Sequence, residues 1–132
     1  MIRRLPACLA AVCALALLGV VCCGPGRPAP GPWARDWSQA TRLTSQIEAP
    51  GALDDLEKCE SFLVRARKIR RVVTPTPDSS LDAAVEAWIE ATESIAFTCP
   101  RSKGAQEEHD AAARKIRSLE AQVSAGLTTI ES

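Results

Sequence analysis

"LDDLEKCESFLVRARKIRRVVTPTPDSSLDAAVEAWIEATESIAFTCP", Leu53 to Pro100, decides the fold. Apolar or small residues recur at three- and four-residue steps through Leu53, Leu56, Cys59, Leu63, Ala66, Ile69 and Val73. They recur again through Leu81, Val85, Trp88, Thr92, Ile95 and Cys99. Each series draws one apolar stripe along a helix. The first series opens on Asp54, Asp55 and Glu57 and closes on Lys68, Arg70 and Arg71, the order a helix dipole favours. "TPTP", Thr74 to Pro77, ends it, and Ser79 with Asp82 three residues later reads as a capping box for the next helix. Pro100 closes that one. Two helices joined by so short a break lie antiparallel.

The same period extends in both directions. Trp33, Trp37, Ala40, Leu43 and Ile47 form a shorter stripe stopped by Pro50-Gly51. From near Lys103 onward, Ala112, Ile116, Leu119, Val123, Leu127 and Ile130 form a longer one. No stretch alternates with period two for long enough to make a strand. The chain therefore reads as all-α: a small up-and-down bundle of three to four antiparallel helices over residues 34–132. Trp33 and Trp37 share a face and are expected in its core.

Ahead of the bundle, "GPGRPAPGPW", Gly24 to Trp33, holds four prolines and three glycines in ten residues. That composition reads as a tether, residues 24–33. Earlier still, "MIRR" is a basic start, followed by 19 uncharged residues from Leu5 to Cys23. A span needs about 20 apolar residues, so length alone permits an anchor. The small residues and the breakers after Cys23 favour a cleaved leader over 1–23. Val20-Val21-Cys22-Cys23 resembles the box that ends the signal sequence of bacterial lipoproteins, with Cys22 in the place where Gly, Ala or Ser is usual. The resemblance covers only the leader. It implies a lipid-modified (palmitate-bearing) Cys23, export, and attachment to the cell envelope. In a cell with two membranes, Gly24 after the modified Cys23 implies the outer one. The alternative is conventional cleavage after Gly24, giving a secreted or periplasmic protein.

Six cysteines sort accordingly. Cys8, Cys13, Cys22 and Cys23 lie in the leader, which leaves Cys59 and Cys99 beyond it. Both fall on apolar stripes near one end of the bundle, and an exported chain permits a disulfide between them.

Charge is balanced, 16 basic residues against 16 acidic, so nothing draws the whole chain to nucleic acid. The densest charged feature is "RARKIRR", where Arg65, Arg67, Lys68, Arg70 and Arg71 are a candidate partner-binding set. The same residues can also pair with Glu86, Glu90 and Glu93 on the neighbouring helix. His109, the one histidine, is expected to be solvated in a first helical turn. It has no Cys-x-x-Cys-His haem motif or nucleophile elbow beside it. No metal, cofactor or catalytic residue set is expected. The sequence points to a non-enzymatic envelope lipoprotein acting as a helical adaptor or scaffold, held to a membrane by lipid and binding another envelope protein. A module that binds a small ligand or lipid is the alternative. Oligomeric state is not legible.

Overall fold

The computed structural model describes residues 26–48, 52–97 and 106–132. Among the described residues four helices follow one another: α1 (Pro30–Ser45), α2 (Leu56–Val73), α3 (Asp82–Phe97) and α4 (Gln106–Glu131). A 3-10 turn, Gln46–Glu48, extends α1, and another, Ser79–Leu81, precedes α3. α1 packs on α2 and α4, and α3 packs on the same two, so the bundle closes in chain order. This is the all-α up-and-down architecture, with four helices rather than three.

α1 begins inside the stretch read as a tether. Pro30, Gly31 and Pro32 occupy its first three positions, and the first helical hydrogen bond is donated by Trp33 N to Ala29 O at 3.3 Å. The opening N–H groups of a helix have no acceptor within it, so prolines there remove nothing. Residues 30–33 therefore belong to the bundle, and Trp33 is 1% exposed.

α2 is capped by Asp55, whose carboxylate accepts from Lys58 N at 2.8 Å. Its stripe departs from the sequence reading at two positions. Phe62 is buried where Leu63 was expected, and Leu56, the first helical residue, is 61% exposed. Leu53, just before the helix, fills the core in its place. α3 is capped differently too. Asp78, not Ser79, accepts from Ser80 N at 2.8 Å, and the 3-10 turn leads into Asp82. The expected α3 stripe is otherwise buried from Leu81 through Ile95, with Ala84, Ile89 and Ala91 added because α3 meets two helices. Cys99 lies outside the described residues. On α4, Gly126 lets the helix close on the turn before α3. A Cβ there would stand 2.5 Å from Leu81 Cδ2.

Three tryptophans organise the centre. Trp33 and Trp37 stack with centroids 5.5 Å apart and planes 8° from parallel. Trp37 meets Trp88 of α3 at 4.8 Å and 58°, across the bundle's diagonal. Trp33 Nε1 donates to Val73 O, the last residue of α2, at 3.0 Å. Trp88 Nε1 donates to Glu120 Oε1 of α4 at 3.0 Å, and Thr44 Oγ1 of α1 donates to the same oxygen. One carboxylate thus ties α1, α3 and α4 together.

That carboxylate gives the first prediction. Glu120→Leu leaves the buried Trp88 N–H without its acceptor, which costs about 1–3 kcal/mol. Glu120→Gln keeps an oxygen there and should lose less than about 1 kcal/mol. Urea unfolding of both variants checks this, and equal losses would show that packing, not the hydrogen bond, sets the position.

Candidate functional site

Helical phase divides the basic run of α2 into two kinds of residue. Arg70 is half-buried and turns toward α3, where it meets Glu86 at 3.0 Å and Glu93 at 3.3 Å. It belongs to the scaffold. Arg65, Arg67, Lys68 and Arg71 are exposed, and none has a carboxylate partner among the described residues. Arg65 donates to the Gln46 side chain at 3.1 Å. The reading that this run pairs across to α3 therefore holds for one residue of the five, because only Arg70 lies on that flank.

Arg65 and Lys68 stand over a groove between α1 and α2 of about 340 Å³. Its floor is Ala40, Leu43, Ile69 and Val72, and Arg42 of α1 joins its rim, with Asp36 as the one carboxylate. Val72 is 48% exposed and Val64, one helical turn before Lys68, is 52% exposed. An apolar floor with cations at its edge suits a ligand that is itself amphipathic and acidic. A larger hollow of about 580 Å³ between α1 and α4 is lined by Ser38, Thr41, Glu120 and Ser124 beside Leu127. It lacks that convergence of cations.

The charges behind this surface are polarised by helix. α2 carries Lys58, Arg65, Arg67, Lys68, Arg70 and Arg71 against Glu57 and Glu60, a net charge of +4. α3 carries Asp82, Glu86, Glu90 and Glu93 with no base, a net charge of −4. The two attract along their shared flank through Arg70 and leave the outer face of α2 positive.

A second polar cluster sits at the turn between α2 and α3. The Arg27 guanidinium grips both oxygens of Asp82 at 3.0 Å, and its Nη1 also donates to Thr76 Oγ1 at 3.0 Å and Thr76 O at 3.2 Å. Thr76 Oγ1 donates to Asp82 as well. Arg27 and Thr76 hold the Asp82 carboxyl down at about 2. Sequence reading assigned Arg27 to the tether, since its partners stand 49 and 55 positions away and no local signal marks them.

His109 is corrected. It is 3% exposed rather than solvated, with Nδ1 at 3.9 Å from Asp110 Oδ1. Its position in α4 turns it inward beside Ala113, and it borders a hollow with Glu48 and Arg117, which are themselves ion-paired. Among the described residues no group of three His, Cys, Asp or Glu side chains is placed to hold a metal, and no helix is long and apolar enough to cross a membrane. Cys59 is buried in the core at 3% exposure, while Cys23 and Cys99 lie outside the described residues.

The Arg27 cluster gives a pH prediction. A carboxylate whose pKa is depressed by folding stabilises the fold above the ordinary carboxylate range, and that contribution is lost as pH falls toward the folded value. Asp82 should therefore titrate at about 2 in the native protein. In Arg27→Gln its midpoint should return toward the ordinary range, and the two proteins should converge in stability in strong acid. Carboxyl NMR titration reads the midpoint directly; an unchanged Asp82 midpoint in the variant would exclude the clamp. No protein-family model, curated protein or solved structure matches this chain, so the geometry of its own surfaces carries the functional reading.

Proposed function

We propose that the protein is a non-enzymatic bacterial envelope lipoprotein, anchored by lipid at Cys23, whose bundle is an adaptor for another envelope protein. The partner contributes an acidic, amphipathic segment that lies in the α1–α2 groove. The observation that carries this reading is the groove itself. Leu43, Ile69 and Val72 offer apolar surface between Arg42, Arg65 and Lys68, cations that no carboxylate occupies among the described residues. The lipobox-like Val20-Val21-Cys22-Cys23 supports the anchor.

A disulfide between Cys59 and Cys99 is part of the proposal. Cys59 is buried in the core and disulfide-bonded, which supports this pairing. Cys99 is the one cysteine beyond the leader that remains. On the chain-entropy model, closing a loop of about 41 residues stabilises by about 4 kcal/mol. The second reading, a module for a small ligand or lipid, would use the same groove, whose volume sits at the lower end of ligand pockets.

Two measurements test this. The intact, unreduced mass of the mature protein should begin at Cys23, carry diacylglycerol, and be two hydrogens light. A mass starting after Gly24 with no lipid would end the anchor proposal. A photo-crosslinker at Val72 in the envelope should capture a protein, one at Thr129 on α4 should not, and Arg65→Ala with Lys68→Ala should weaken capture about tenfold or more. A lipid-sized adduct at Val72 favours the second reading, and no adduct removes the groove from both.

A further inference from the structure

We infer that the Arg27 clamp holds the bundle end-on against the membrane that bears its anchor, with the last turns of α2 resting on anionic lipid headgroups. This rests on the lipid attachment at Cys23 proposed above and adds the orientation of the bundle and the chemistry of the surface it meets.

The argument starts with reach. A free linker over 24–33 would let the bundle stand roughly 35 Å from the lipid. The chain is instead pinned at Arg27, by two parallel contacts to Asp82 and two to Thr76. Cys23 is four residues from Arg27, so the chain between their backbones can span at most about 14 Å. Thr76 lies in the turn between α2 and α3, Asp82 opens α3, and Trp33 Nε1 on Val73 O places the start of α1 at the same end. That end therefore faces the bilayer.

The charges there choose the contact edge. Arg71, Lys68 and Arg67 stand two, five and six residues before Val73, or about 3, 8 and 9 Å along the helix axis. All three are exposed and lack a carboxylate partner among the described residues. The acidic groups of the α3 edge are largely answered from within. Asp82 is taken by Arg27 and Glu86 by Arg70, Asp78 is a helix-start acceptor, and Glu131 closes α4, diagonal to α2. A negatively charged leaflet then draws the α2 edge toward it, at roughly fivefold in surface affinity per cation. Arg42 and Arg65 lie farther from that end and remain with the groove, while Lys68 stands at the junction and lines the groove as well.

The test supplies the anchor chemically. The chain Cys23–Ser132 is coupled through Cys23 to a maleimide phospholipid, on vesicles of phosphatidylcholine alone or with one-third phosphatidylglycerol. Acetylation rates are then read by mass spectrometry at Lys68, with Lys115 on α4 as the internal reference. Lys68 should be slowed severalfold on the anionic vesicles only, and high salt should reverse it. Arg67→Gln with Arg71→Gln should abolish the slowing, and Arg27→Gln, which lengthens the free chain, should weaken it. Equal Lys68 rates on both vesicles would overturn the headgroup contact. Slowing that survives Arg27→Gln would overturn the clamp. Protection of Lys68 by polyglutamate, with none from either vesicle, would assign the surface to an acidic protein and overturn the proposal as well. Because the lipid is attached by hand, failure here leaves native lipidation at Cys23 standing, and the mature mass tests that separately.

Discussion

The bundle depends on placing three indole rings at its centre while finding partners for the N–H groups of Trp33 and Trp88. Trp33, Trp37 and Trp88 bring large apolar area and also polar atoms that are costly to bury alone. Trp33 is satisfied by the terminal carbonyl of α2 and Trp88 by a carboxylate of α4. These two bonds fix the axial position of α1 against α2 and of α3 against α4. The stack between Trp33 and Trp37 then sets the rotation of α1, and the contact with Trp88 crosses the diagonal. The small residues Ala40, Ala66, Ala84 and Ala91 let the helices approach around that layer.

Anchoring α1 at both its stack and its start has a consequence for the chain before it. Once Trp33 is held at the end of α2, Arg27 is six residues away and within reach of the turn that follows α2. Arg27 meets Asp82 in a fork geometry that lysine could not reproduce. Individually such an exposed pair contributes little to stability. Its importance is positional: it ties the segment before α1 to the start of α3.

How much of this was legible follows from range. The α1 and α3 stripes, Trp33 to Ile47 and Leu81 to Ile95, are local patterns of period 3.6, and each of their named positions is buried. Where helices begin was less legible. Four prolines in ten residues argue against a helix interior, yet Pro30 and Pro32 stand at positions that need no N–H. Phe62 took the place expected of Leu63, and Leu56 turned outward, because a stripe read by type alone does not fix its phase against two neighbours. Arg27 with Asp82, Trp88 with Glu120 and the inward turn of His109 depend on partners or packing set by tertiary structure, and no window along the chain contains them.

The run RARKIRR shows how one stretch serves two ends. A hundred degrees separates successive residues on a helix, so five cations within seven positions cannot share one face. Arg70 falls on the α3 flank and is consumed by Glu86 and Glu93, whose helix carries no base of its own. Arg65 falls on the α1 flank, at the groove, and Arg67 and Arg71 fall outward. Removing Arg70 would disturb the scaffold before it touched any partner. The fold leaves Arg65, Arg67, Lys68 and Arg71 exposed, with Arg65 and Lys68 on the rim of the α1–α2 groove and Arg67 and Arg71 facing away from it.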